Sequence, residues 1–273
     1  MSLLEETKLL LRTHRISPNK LLGQNFTIEP SIFQRLVEYA VIKPDDVVLD
    51  VGAGLGFLTR LLAARCKQVI AVEVDGEIAR VLRGRLRDVH NVEVIQANVL
   101  KLQDRFFSKI VSIPPYQISS KLLTWLLPKS FDCAVLVFQR EFADKLVACK
   151  GSDDYGWLSI LVYYYAEVEL MDTIPRTMFY PQPEVDSVIV RLEPKKTRSF
   201  SVKDEALFKR LVKSLFTNRN RKVKNAILPF LMGIRGVKRE NATELVNSIP
   251  FRDKRVRELD PDDFGAIAHV VIL

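Results

Sequence analysis

Cysteine and histidine are scarce in this sequence, three of each, and none forms a cluster. Cys66, Cys133 and Cys149 show no paired spacing, which argues against a disulfide framework or a structural zinc site. They read as core thiols, and His14, His90 and His269 as structural or surface residues, so no metal is expected. Runs of about 18 or more apolar residues, the span of a bilayer, are also missing, and no membrane partner is expected. The opening residues, MSLLEETKLLLRTHR, are acidic within their first turn, unlike a secretory or organelle-targeting leader. The cytoplasm is the expected address. Internal repeats and low-complexity segments are lacking as well.

What the chain does possess is enough material for a core. With 273 residues and 48% hydrophobic content, it suits one large domain or a large domain with a small appendage. Its charge is unevenly placed. Residues 1–194 carry 23 Lys and Arg against 24 Asp and Glu, whereas residues 195–273 carry 18 against 9, a net of +9. Ordinary solvated surfaces mix both signs, but TNRNRKVKNAIL is a basic run with Asn and no acid. Such a run fits a polyanion, nucleic acid above all.

From Asp46 onward, short β-branched runs alternate with longer amphipathic ones. VVLDV, QVIAVEV, VEVIQAN, KIVSI and CAVLVF read as strands, separated by segments of helical spacing such as FLTRLLAARC and GEIARVLRGRLRDV. Near-continuous apolar strands between helices imply an α/β fold, doubly wound on a mostly parallel sheet. ILVYYYAEVELMDTIP reads as a helix running into a strand and VDSVIVRLEP as a second strand, so an antiparallel closing pair is expected. KKTRSFS breaks the pattern and reads as a linker, giving a domain over 1–194 and a basic helical one over 195–273.

The first strand ends in LDVGAGLGFLT, with glycines at 52, 54 and 56. Glycine allows a tight strand-to-helix turn and the close approach of a ligand. The spacing is G-x-G-x-G, and Glu73 stands 21 residues beyond Gly52 at the end of the second strand, where both ribose hydroxyls could be held. A nucleoside without a pyrophosphate fits, and S-adenosylmethionine matches that description. Asn98, after the third strand, is placed to meet its adenine edge.

The fourth strand ends in SIPPYQIS. Ligands of such sheets sit beyond the carboxyl ends of the strands, so this stretch faces the cofactor. Proline removes backbone donors and leaves carbonyl oxygens, here of Ile113 and Pro114, beside the flat face of Tyr116. Carbonyl acceptors next to an aromatic plane suit a planar base with an exocyclic amine as methyl acceptor.

These stretches, in order, resemble the ribosomal RNA adenine dimethyltransferase family, in a member of archaeal cast. KLLGQNF is similar to its amino-terminal cofactor segment, VLDVGAGLGFLT to its glycine motif, VEVD to its ribose acid, MFYPQPEVDSVIVRL to its late hairpin, and LFTNRNRKVKNAIL to the start of its basic helical domain. The resemblance implies a seven-stranded methyltransferase sheet with an antiparallel closing strand. It also implies dimethylation at N6 of two adjacent adenosines near the 3′ end of small-subunit rRNA in pre-ribosomal particles, by a chain expected to be a monomer. Carried over, the cofactor contacts fall on Gln24, Asn25, Thr27, Gly52, Gly54, Glu73, Asn98 and Ile113, and the catalytic segment on Ile113, Pro114, Pro115 and Tyr116. Phe179 matches the aromatic that sandwiches the target base against Tyr116. Lys213, Arg219, Arg221, Lys222 and Lys224 are the expected RNA contacts.

Two positions depart from the family pattern. Asn98 replaces an Asp, with its amide oxygen expected to accept from the adenine amino group, and Ile113 replaces the Asn of Asn-Leu/Ile-Pro-Tyr. Ser112 stands one step too early to substitute. Losing an aligned polar group costs about 10² to 10³ in rate. A methylation-deficient factor that binds immature small subunits therefore remains an alternative, as does a large-subunit rRNA adenine N6-methyltransferase.

Overall fold

The computed structural model describes residues 1–102, 105–234, 236 and 238–272. Among the described residues, nine strands run in chain order: β1 Phe26–Thr27, β2 Val47–Val51, β3 Gln68–Glu73, β4 Val92–Gln96, β5 Lys109–Ser112, β6 Cys133–Gln139, β7 Ala166–Ile174, β8 Phe179–Tyr180 and β9 Ser187–Pro194. Seven of them form one sheet in the order β4-β3-β2-β5-β6-β9-β7. The pairs β3–β4, β2–β3, β2–β5 and β5–β6 are parallel, and β6–β9 is antiparallel. The expected α/β sheet and its antiparallel closing strand are both present. Strand order reverses between β2 and β5, and the crevice of such a sheet opens there, outside the strand ends.

The helices over the first part of the chain are α1 Leu3–Thr13, α2 Pro30–Ala40, α3 Phe57–Ala63, α4 Gly76–Arg85, α5 Ser119–Leu126 and α6 Arg140–Val147. Ser2 and Glu5 start α1 with a capping box, and Asp75 caps α4 by accepting from Glu77 N and Ile78 N. Helix α2 buries Ile32, Phe33, Leu36, Val37 and Ala40 against Val48, Val69, Val111, Val135 and Ile189 of the sheet. Lys109, 5% exposed, pins the end of that helix: its ammonium reaches Ala40 O at 2.9 Å, Val41 O, and Asp46 at 3.0 Å. Each partner of that buried pair is satisfied, as a charge out of water requires. It lies at the sheet end opposite the crevice.

A two-stranded ribbon, β1 with β8, pairs Phe26 with Tyr180 and Thr27 with Phe179. Strands of two residues carry no period, so nothing in the sequence pattern announces them. The ribbon ties KLLGQNF to the late hairpin. Helix α1 packs beside it through Leu11, joined by Ile16 beyond the helix, against Leu55, Ile78 and Val81, while Phe26 and Tyr180 pack on the same cluster. Arg85 binds Glu6 at 3.0 Å with its guanidinium 4.3 Å from the centre of the Phe57 ring.

The chain divides into two compact units, Met1–Ala143 with Val168–Pro194, and Asp144–Glu167 with residues from Lys195 onward. These units differ from the segments read from the sequence in that 144–167 lies with the residues from Lys195 onward. The reason lies in helix α7, Trp157–Tyr165, which is apolar on nearly every face and must be covered all round. Within the second unit it meets α8, Glu205–Thr217, through Tyr164 and Phe208, whose ring centres are 5.2 Å apart. Tyr155 just before it stacks edge-on to Phe216 at 5.6 Å and donates to Leu259 O at 2.8 Å. The unit is completed by α9 Val223–Ala226, α10 Arg239–Ser248 and α11 Pro261–Val271.

Candidate active site

Three cavities, of about 420, 510 and 640 Å³, share Gly52 at the end of β2. Gly52, Gly54 and Gly56 have φ of 72°, 55° and 83°, the left-handed region in which a side chain is strained. At Gly52 the close neighbour is protein: a Cβ there would stand 2.8 Å from Pro115 Cδ and 3.8 Å from Pro114 Cα. The Pro-Pro-Tyr loop therefore lies directly on the glycine turn. The sequence assigns that glycine to a tight turn and to ligand approach, and the structure adds the nearness of the proline pair as a further reason for it.

Glu73 sits between the two larger cavities and is 7% exposed. Its oxygens accept from Gly54 N and Asp75 N, each at 3.0 Å, while burial pushes its pKa up. A carboxylate has about four lone-pair sites, so one on each oxygen is left for a pair of ribose hydroxyls. The 640 Å³ cavity continues past Val72, Val74, Ala97 and Val99 to Asn98, an apolar slot suited to a flat base. The 510 Å³ cavity runs from Glu73 past Gln24 and Asn25 to Ile113, Pro114, Pro115 and Tyr116. A nucleoside with a short polar tail fits this connected space.

The segment before β1 straps the opening. Gln24 donates to Asp75 Oδ2 at 2.9 Å and its own oxygen receives Asn19 N at 2.8 Å, while Gln117 of the Pro-Pro-Tyr loop donates to Lys20 O at 3.0 Å. Gln24 thus acts on the strap, beside the cavity that Asn25 also lines. Thr27 lines the 420 Å³ cavity, and its hydroxyl is buried without a hydrogen-bond partner. Among the described residues, no group of three or more His, Cys, Asp or Glu could hold a metal ion. No helix of the described residues is long and apolar enough to cross a membrane.

The family model described as "Ribosomal RNA adenine dimethylase" matches residues 16–249. The chain belongs to that family. It is 38% identical over 252 residues to a protein of Methanosarcina acetivorans called "Probable ribosomal RNA small subunit methyltransferase A", covering 91% of each chain. A protein of the same description from Pyrococcus abyssi is 38% identical over 260 residues, covering 94% of this chain and 93% of the relative. Among solved structures, a dimethyladenosine transferase from Plasmodium falciparum superposes with a TM-score of 0.76 at 26% identity, covering 89% of this chain and 95% of its own. The 23S rRNA methyltransferase ErmE gives 0.64 at 27% identity, covering 90% and 99%. The enzyme is an S-adenosylmethionine-dependent methyltransferase of the adenine dimethylase family.

Within this dimethylase, the expected site residues also have partners of their own. The Asn98 amide oxygen accepts from Leu100 N at 3.0 Å, starting a short turn, so the atom expected to meet the adenine amino group already serves the backbone. Ile113 lines the two smaller cavities and packs on the apolar cluster beneath them. Ser112 is fully buried with its hydroxyl unpartnered, and strand alternation turns it to the face opposite Ile113, so it does not replace the missing Asn. Pro115 O is taken by Ile118 N at 3.1 Å, which leaves the carbonyls of Ile113 and Pro114 as the expected acceptors. Phe179 requires a correction. It is 2% exposed, held in the cluster with Phe33 and Ile174, and offers no free face for a base in this conformation. Its pairing with Thr27 across the β1–β8 ribbon draws it inward.

The expected RNA contacts are also unequal. Lys213 is half-buried with its ammonium 4.1 Å from the centre of the Trp157 ring, and desolvation lowers its pKa. Arg219 donates to Asp153 O at 2.7 Å and Ser152 O at 3.0 Å. Lys222 and Lys224 face Asp253 at 3.7 and 2.8 Å. Arg221 is exposed, and among the described residues no ion pair engages its side chain.

Sequence reasoning passed over Asp50. It lines the 420 Å³ cavity, is 1% exposed, and accepts from Thr59 Oγ1 at 2.7 Å. Burial, helped by the negative Glu73, pushes its pKa up to about 7. An acid among the apolar residues of VVLDV was the available signal.

Proposed function

We propose that this enzyme dimethylates N6 of two adjacent adenosines near the 3′ end of small-subunit rRNA during ribosome biogenesis, working in the cytoplasm as a monomer on pre-ribosomal particles. The observation that carries the reading is the seating of Pro-Pro-Tyr on the glycine turn, where Pro115 lies against Gly52. That contact sets amine acceptors and an aromatic plane at the edge of the cofactor cavity. The small-subunit assignment is supported by what the relatives of Methanosarcina acetivorans and Pyrococcus abyssi are called.

When bound, S-adenosylmethionine supplies an electrophilic methyl on a sulfonium. Glu73 would hold its ribose hydroxyls, the wall of Val72, Val74 and Val99 its adenine, and Asn25 with Gly52 and Gly54 its amino-acid tail. Tyr116 presents a neutral ring to the target base: burial pushes its phenol up to about 12, so it is no base at neutral pH. The carbonyls of Ile113 and Pro114 accept the hydrogens of the target amine, turning its lone pair toward the methyl. Catalysis on this account is mainly positioning. Arg221 and its basic neighbours hold phosphates and set the register of the RNA.

The test is to incubate the protein with labelled cofactor and undermethylated small subunits and to map the label by mass spectrometry. Dimethyladenosine at adjacent positions supports the proposal; RNA bound without transfer points to the assembly-factor reading, which Ile113 favours. Label appearing in large-subunit rRNA would move the target.

A further inference from the structure

We propose that Ser187 is a positioning residue for methyl transfer: its hydroxyl fixes the far end of the Tyr116 ring to strand β9 and so sets the plane that the target base meets. The Tyr116 hydroxyl lies 2.7 Å from Ser187 Oγ. Tyr116 itself sits on the loop between β5 and α5, at the start of a single turn, Tyr116–Ile118, that no side chain caps. An aromatic face helps binding most when it need not be ordered on arrival.

Ser187, by contrast, belongs to a strand of the main sheet. It is fully buried, it pairs with Gln139 of β6, and the residue before it is tied on two sides. Asp186 O receives Arg140 N at 3.0 Å, and Asp186 Oδ1 receives Arg176 N at 2.9 Å. The hairpin loop that carries Phe179 ends at this point. One hydrogen bond therefore joins the Pro-Pro-Tyr loop to the foot of the segment bearing the other aromatic. The phenol is free for this holding role because only its ring is asked to touch substrate.

This inference rests on Tyr116 being the stacking face, and the experiment separates the two claims. Ser187→Ala, Tyr116→Phe, the double variant and Tyr116→Ala are compared for kcat and KM on undermethylated small subunits, for S-adenosylmethionine Kd by calorimetry, and for Tm. Ser187→Ala and Tyr116→Phe should each lower kcat about tenfold, because a small misplacement of a positioning group is costly. Cofactor Kd should stay within about twofold, and the double variant should be no slower than either single, since the same bond is lost once. A purely structural hydroxyl would lower Tm and leave kcat alone, overturning the proposal; additive losses in the double variant would overturn it too. An inactive Tyr116→Ala beside unimpaired Tyr116→Phe and Ser187→Ala would sink the latch but keep the stacking face. A fully active Tyr116→Ala would sink both. If Ser187→Ala does not fold, Tyr116→Phe breaks the same bond from the other side and decides the matter.

Discussion

Replacing Gly52 with alanine perturbs a residue that lines all three cavities, and the structure gives the size of the effect. At φ of 72° an alanine incurs about 1–2 kcal/mol of backbone strain, offset in part by about 0.4–1 kcal/mol from a less flexible unfolded chain. The new methyl would also stand 2.8 Å from Pro115 Cδ, and buried Pro114 at 3.8 Å leaves that ring little room to retreat. A net destabilisation of about 1–3 kcal/mol follows, within the common range for a strained backbone site. Because Pro115 lines both larger cavities, its displacement should weaken S-adenosylmethionine at least tenfold, about 1.4 kcal/mol, by calorimetry. Gly84→Ala is the control. Gly84 is exposed near the end of α4 with no atom within 4 Å of an added Cβ, so alanine should stabilise by about 0.5–1 kcal/mol and leave cofactor affinity alone. A Gly52→Ala chain with parental stability and cofactor Kd would refute the close-approach argument.

Ile113→Asn should raise kcat by about 10² if the aligned amide contributes as such groups usually do, while Tm falls because a polar group joins a partly apolar wall. No gain in labelled transfer would mean that the backbone carbonyls suffice. Asp50 offers a pH test with a definite sign. Its pKa is raised from 3.8 to about 7, so its contribution to stability is present at low pH and lost as pH climbs between those values. At about 1.4 kcal/mol per pH unit, Asp50→Asn should stabilise the chain by up to about 4 kcal/mol at pH 8 and hardly at pH 4. Denaturant titrations at the two pH values would reveal a constant difference if the argument is wrong. Arg221→Ala should lower the slope of log affinity for RNA against log salt by about 0.7–0.9 with Tm unchanged. Arg219→Ala, which releases the carbonyls of Ser152 and Asp153, should instead lower Tm; the opposite pattern would reverse their roles.

Strands β2, β3, β5 and β6 were legible because a parallel strand covered on both faces has to be apolar throughout, and Val47–Val51 and Cys133–Gln139 are nearly so. Gly52, Glu73 and Pro-Pro-Tyr were legible for a similar reason: a tight turn, a buried acid and a donorless loop each demand particular residue types whatever surrounds them. Phe179 was not, since an aromatic residue is equally at home against a base or inside a cluster, and only its pairing with Thr27 showed which. The same holds for Asn98, whose amide can serve a ligand or its own backbone. Residues 144–167 joined the second unit because the partners of Tyr155 and Tyr164, Phe216 and Phe208, lie far along the chain, beyond the reach of any local pattern. Composition and spacing determined the kind of sheet, the glycine turn and the basic tail. Which aromatic is buried, which cations are paired and which serine meets the tyrosine were decided by tertiary contacts, because burial and hydrogen bonding depend on groups that meet only once the chain has folded.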